Sequence, residues 1–183
     1  MANEPESLAQ GATETIDIAR QVGERLRDSE ATIATAESIT GGLLSSCLID
    51  IPGASDYVDR SFVAYAYDAK RNMLGITREA LDRHGAVSEP VAREMATRAR
   101  DIADVTWGVS TTGIAGPTGG SEEKPVGTVY IGVAYAAPWG SRASESIVQR
   151  ENLDGTRLEI KEQATQRALE TLVDAMERLP DGH

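Results

Sequence analysis

Apolar side chains fall along this chain at two alternating spacings. Leu8, Ile16, Ile18, Ala19, Val22 and Leu26 recur at helical intervals and predict an amphipathic helix over 6–28, following a start over 1–5 expected to be disordered. From Ala31 to Ser38 the pattern changes: Ile33, the small residues Ala31, Ala34 and Ala36 and the β-branched Thr32 and Thr35 predict a short strand covered on both faces. Leu43, Leu44, Cys47, Leu48 and Ile49 return to helical spacing and predict a helix over 41–50, which Pro52 and Gly53 stop. Between strand and helix lies Glu37-Ser-Ile-Thr-Gly-Gly42, where Thr40 is placed to cap the helix and two glycines leave backbone open to a ligand. Strand ends that run into helix starts are where open α/β sheets bind ligands, anionic ones above all. Ser38 is therefore expected in the mouth of a site.

The pattern then repeats. Val58, Phe62, Val63 and Tyr65 predict a strand over 57–66 that runs straight into a helix over 67–75, bringing Tyr65, Tyr67 and Lys70 together at a second junction. Thr77 is expected to cap a short helix through Leu81, 84–88 to form a loop, and Ser88 to cap a longer helix to about Ala103 with Pro90 in its first turn. Strands are predicted over 105–112, 126–135 and 143–151. A final helix from 154–156 to about Leu179 is expected to turn Leu158, Ile160, Ala164, Ala168, Leu169, Leu172, Val173 and Met176 inward. Helices alternating with strands, and strands gathered toward the end, predict an α/β fold: a three-layer α/β/α sandwich whose mixed sheet is parallel near Ser38 and antiparallel later. Several strand ends would then open on one cleft, with the glycine-rich segment 113–120 as part of its rim.

Composition narrows the partners. A chain of 183 residues, 40% hydrophobic, fits a single domain spanning 1–183. It has no apolar run near the roughly 20 residues that cross a bilayer and no basic-then-apolar start, so a cytoplasmic location is expected. A formal charge of −11 argues against nucleic acid or an anionic membrane as partner. Only Lys70, Lys124 and Lys161 of the 18 basic residues are lysines, and acid excess with scarce lysine is the composition of proteins from salt-loaded cytoplasms. Cys47, the single cysteine, sits on an apolar helix face as a small hydrophobe. With two histidines and no cluster at metal-ligand spacing, no metal or cofactor is expected.

Local context alone leaves Ser38 a cap and Lys70 an exposed helix lysine. The longer motifs change that. Thr35-Ala-Glu-Ser-Ile-Thr-Gly-Gly42, Phe62-Val-Ala-Tyr-Ala-Tyr-Asp-Ala-Lys70, His84-Gly-Ala-Val-Ser-Glu-Pro90, Gly113-Ile-Ala-Gly-Pro-Thr-Gly-Gly-Ser-Glu-Glu-Lys-Pro-Val-Gly-Thr128 and Gly155-Thr-Arg157 stand in order over nearly all the chain beyond the first helix. In these stretches the chain resembles the nicotinamide-nucleotide amidase family, also known as the C-terminal domain of the competence/damage-inducible protein CinA. The resemblance implies hydrolysis of the carboxamide of nicotinamide mononucleotide to nicotinic acid mononucleotide and ammonia in NAD salvage, and a homo-oligomer. It implies Ser38 and Lys70 as the essential pair. Two departures stand in the second motif, where the family commonly has Ser and Asn and this chain has Ala66 and Tyr67; Ile39 stands where Cys is frequent.

The chemistry fits those residue types. A neutral serine needs a base to attack an amide, and a lysine serves once burial lowers its pKa. Ser38 is the expected nucleophile, Lys70 the base, and Tyr65 a proton relay or a support for the lysine. Glu37 is expected to support the lysine at the substrate, and the Thr40-Gly41-Gly42 backbone to hold the oxyanion. Arg157, the Thr112 hydroxyl and loop amides at Gly113, Ala115 and Gly116 are expected on the phosphate. His84 is read as a loop hydrogen-bonder. The rival reading is a non-catalytic nucleotide-binding regulatory module of the same fold, raised by Ala66 and Tyr67; hydrolysis of another amide-bearing nucleotide is a weaker one.

Overall fold

The structure is a computed structural model that describes residues 4–141 and 143–178, with the side chains of 4–10 and 12 outside the description. In chain order its elements are α1 (Glu4–Asp28), β1 (Ile33–Glu37), α2 (Leu43–Ile49), β2 (Val58–Val63), α3 (Tyr67–Leu74), α4 (Arg78–His84), α5 (Glu89–Ala103), β3 (Trp107–Gly113), β4 (Thr128–Tyr135), β5 (Glu145–Asn152) and α6 (Arg157–Arg178). The strands form one sheet in the order β2-β1-β3-β4-β5. Both neighbours of β1 run parallel to it, whereas β3, β4 and β5 alternate as an antiparallel meander.

Two apolar cores lie on opposite faces of this mixed sheet. On one face Val22, Leu26, Leu44, Leu48, Ile160, Leu169 and Leu172 of α1, α2 and α6 pack on Ile33, Val109, Ile131 and Val133. On the other, Leu74, Leu81, Val91, Met95 and Ala99 of α3, α4 and α5 close over Ala34 and Ala36. All five residues of β1 are buried, as a strand covered on both faces requires. The three-layer α/β/α sandwich expected from the alternation of elements is the one observed.

The register levels three strand ends. Glu37 stands beside Val63 on β2 and Thr111 on β3, so Ser38, Ala64-Tyr65 and Thr112-Gly113 leave the sheet together. Thr128 pairs with Asn152 at the same end, and α6 starts five residues later. Every segment flagged for chemistry thus reaches one edge.

Several boundaries differ from the periodicity. α1 starts at Glu4, two residues before the predicted start; residues 1–3, and Leu179 at the predicted end of α6, lie outside the described residues. α2 spans only Leu43–Ile49 because Gly41 and Gly42 take φ of +62° and +103°, which a helix cannot use. α4 continues to His84, so the loop begins a residue later than expected. Thr77 does cap α4, accepting from Ala80 N–H at 3.1 Å, but the Ser88 hydroxyl donates to Gly85 O at 2.8 Å and leaves α5 without a side-chain cap. α6 begins at Arg157, after Thr156 and Glu159 exchange bonds as a capping box, and this start turns Leu158 outward, 57% exposed.

Candidate active site

The turn after β1 is organised by Glu37. Its fully buried carboxylate takes Gly42 N–H at 2.8 Å and Leu44 N–H at 3.2 Å on one oxygen, and Ser45 N–H at 2.8 Å on the other. Thr40 Oγ1 donates to it at 2.7 Å and lies 2.7 Å from Thr111 Oγ1. A carboxylate at the start of a helix satisfies donors that have no partner within the helix. The positive φ at both glycines folds the turn back far enough for those donors to reach it. This corrects three expectations: Thr40 does not cap α2, Glu37 faces neither Lys70 nor an open cleft, and the Gly42 N–H is already taken. The start of α2 holds the protein's own anion.

Ser38 lies just outside this arrangement, its N–H bonded to Thr111 O at 2.9 Å and its side chain turned toward α3. Lys70, in the second turn of α3, reaches it: Nζ donates to Ser38 Oγ at 2.9 Å, to Ala64 O at 2.7 Å and to Tyr65 O at 3.1 Å. Lys70 is 1% exposed, and among the described residues no carboxylate lies within ion-pair distance of it. Burial lowers its pKa from 10.5 to about 8. Three acceptors match the three protons of an ammonium. Once one proton leaves, two N–H bonds still serve the two carbonyls and the lone pair faces the Ser38 hydroxyl.

Tyr65 contributes through its backbone. Its carbonyl steadies Lys70 Nζ, while the phenol, 62% exposed, accepts from Arg157 Nη2 at 3.0 Å. Arg157 Nη1 donates to Gly116 O at 2.6 Å, so the first residue of α6 ties the β2–α3 junction to the glycine-rich loop. The Thr112 hydroxyl, buried, donates to Ala86 O at 2.8 Å instead of facing the cleft. Tyr67 OH accepts from Ala86 N–H at 3.2 Å and Lys124 Nζ donates to His84 O at 3.1 Å, so His84 takes part through its carbonyl. Segment 84–88 is therefore fastened to α3, to β3 and, through Lys124, to the stretch that leads into β4.

Ladder geometry singles out one loop amide. Ile114 N–H donates to Thr128 O at 2.9 Å, and alternation along an antiparallel pair turns the Gly113 N–H the other way, toward β1. There β1 has already turned aside at Ser38. Ala115 is buried and Gly116 has φ +75°, with Val126 packed where its side chain would stand.

Lys161 is a residue that periodicity missed. It follows Arg157 by one turn of α6, and its Nζ lies 3.8 Å from where a Cβ on Gly41 would be. Its signal was lysine scarcity in an i, i+4 pair with Arg157. Cys47 is half-buried, and burial, Asp50 and Glu37 push its thiol pKa up, away from a nucleophile. A cavity of about 500 Å³ between α1, α2 and α6, lined by Thr15, Ile16, Leu43, Cys47, Glu159 and Gln163 among others, includes neither Ser38 nor Lys70. Among the described residues no group of three His, Cys, Asp or Glu side chains could hold a metal ion. A buried serine–lysine contact beside the Gly113 N–H is equipped for acyl transfer.

Several known proteins are similar to this chain in sequence and fold. The chain is 46% identical over 160 residues to the nicotinamide-nucleotide amidohydrolase PncC of Escherichia coli strain K12, covering 87% of this chain and 93% of that protein. It is 50% identical over 129 residues to a CinA-like protein of Salinibacter ruber, covering 70% of this chain and 31% of that longer one. Among solved structures, the competence/damage inducible protein CihA of Agrobacterium tumefaciens superposes with a TM-score of 0.83 at 38% identity, over 90% of this chain and 96% of that one. The family model described as the CinA C-terminal domain matches residues 15–176, from the second half of α1 to the end of α6, and the chain belongs to that family.

Proposed function

We propose that this protein is an amidohydrolase that converts nicotinamide mononucleotide to nicotinic acid mononucleotide and ammonia, in NAD salvage, without a metal. The observation that supports it most directly is the 2.9 Å contact between Ser38 Oγ and a buried, pKa-lowered Lys70. Ser38 Oγ attacks the carboxamide carbon while its proton passes to Lys70 Nζ. Collapse of the tetrahedral intermediate breaks the C–N bond, and Lys70 returns the proton to the departing nitrogen, which leaves as ammonia. Water then attacks the acyl ester, giving its proton to Lys70; the released serine alkoxide takes that proton back, and the carboxylate product departs.

The oxyanion is assigned to the Gly113 N–H, which turns toward Ser38, together with the Thr40 or Gly41 amide. Arg157 and the amides of Ala115 and Gly116 are assigned to the phosphate. Tyr65 acts through its carbonyl, holding Lys70, and through its phenol, holding Arg157. Homo-oligomerisation and a cytoplasmic location belong to the same proposal; no helix among the described residues is long and apolar enough to cross a membrane. The non-catalytic reading is not favoured, because Ala66 only precedes α3 and Tyr67 binds Ala86 N–H, leaving the Ser38–Lys70 contact intact.

Ammonia release from nicotinamide mononucleotide, followed with an enzyme-coupled assay, tests the reading. Turnover by the native chain is expected. Binding without release would return the chain to the regulatory module.

A further inference from the structure

A phosphate-bearing substrate needs positive charge in a chain whose formal charge is −11. The obvious source, Arg157, already spends one donor on Gly116 O and another on Tyr65 OH. The anion-binding start of α2 is filled by Glu37. Lys161 differs from both. It is half-buried between α6 and the Ser38–Gly42 turn, and its Nζ has no hydrogen bond or ion pair among the described residues. The other two lysines are both engaged, Lys70 with Ser38 and two carbonyls and Lys124 with His84 O. Nor is Lys161 neutralised from its own helix. Glu159 is turned back onto Thr156 N–H at 2.6 Å, and Gln163 is turned away onto Asp154 O at 2.8 Å.

A half-buried ammonium beside this turn, with no donor engaged among the described residues, is free to take an anion from outside. Lys161 Nζ stands beside the turn that carries Ser38, 3.8 Å from where a Cβ on Gly41 would be. Residues four apart share a helix face, so Lys161 and Arg157 form a two-cation edge along the mouth of the site.

We propose that Lys161 binds the 5′-phosphate of the nucleotide, as a specificity-determining residue that favours the phosphorylated substrate over its dephosphorylated riboside. This rests on the amidase reading only for the identity of the substrate. The shared chemistry is a phosphate dianion, so inorganic phosphate serves as the second probe.

The experiment uses the full chain, with Lys161→Met, which keeps the length and loses the charge, and Lys161→Arg, which keeps the charge. Lys161→Met is expected to raise KM for nicotinamide mononucleotide about 10- to 100-fold, the worth of one or two charged hydrogen bonds, with a much smaller change in kcat. Lys161→Arg should recover most of that loss, and binding of nicotinamide riboside measured by calorimetry should not change. Inhibition by inorganic phosphate should weaken in Lys161→Met in parallel. An unchanged KM, or equal weakening toward mononucleotide and riboside, overturns the proposal. Should the native chain release no ammonia, the amidase reading fails by itself. Calorimetry of mononucleotide against riboside then decides for Lys161 if only the mononucleotide is weakened by Lys161→Met, and against it otherwise.

Discussion

Two buried side chains of opposite charge stand on either side of Ser38, and their surroundings are built differently. Glu37 has backbone N–H groups on both oxygens and a hydroxyl besides, all fixed by the fold. Lys70 has two carbonyls, one serine and, among the described residues, no counter-ion, and its pKa falls to about 8. Donors on every side make the carboxylate a structural group; burial among neutral acceptors prepares the amine to give up a proton. The two residues divide the work of the turn, one shaping it and the other activating its serine.

The sharpest way to break that comparison is to remove the activated pair. Ser38→Ala and Lys70→Met should each lower kcat by about four orders of magnitude or more while far-ultraviolet circular dichroism stays native, since methionine refills the lysine's apolar path. Ordinary turnover in either variant would strip it of its role. Glu37→Ala should instead be a stability lesion of about 3 kcal/mol in urea unfolding, because it orphans several buried donors at once. A drop in activity with unchanged stability would mean that Glu37 acts on the chemistry after all.

Titration tests the other half. The folded pKa of Lys70 lies below its ordinary value of 10.5, so between about pH 8 and that value the unfolded chain binds the extra proton. Stability should therefore rise with pH across this window, by up to about 3 kcal/mol, and Lys70→Met should remove that rise. kcat/KM should climb through about pH 8 as the neutral amine forms. The smallest effect is expected at Thr128, whose buried hydroxyl finds no partner among the described residues. Thr128→Val should be neutral or stabilising by about 1 kcal/mol, measured by thermal unfolding, showing that an unpartnered group without charge leaves the fold nearly indifferent.

Most of the frame was readable from residue order. The strand-to-helix change at Ser38, the second junction at Lys70 and the glycine-rich loop are local in sequence, and parallel pairing of β1 with β2 and β3 brings them together. Less readable were contacts that depend on backbone atoms. The reach of Glu37 to Ser45 depends on two left-handed glycines, and the hold of Tyr65 on Lys70 uses a carbonyl that every residue possesses. The Thr112 hydroxyl has the chemistry of a ligand contact, yet in the fold it donates to Ala86 O, and two of the five donors of Arg157 meet Gly116 and Tyr65. Lys161 was visible only as a rare residue type until α6 placed it over Gly41.

Strand β3 runs two residues past the level at which β1 ends, since Glu37 stands beside Thr111 and β3 continues to Gly113. In the proposed reaction this inequality of length is itself a functional part: it bares one peptide N–H beside the nucleophile, and no side chain supplies it. Alanine scanning would pass over such a donor in silence. Lengthening β1 by one residue, which would draw that N–H back into the sheet, would silence the site while leaving every catalytic side chain in place.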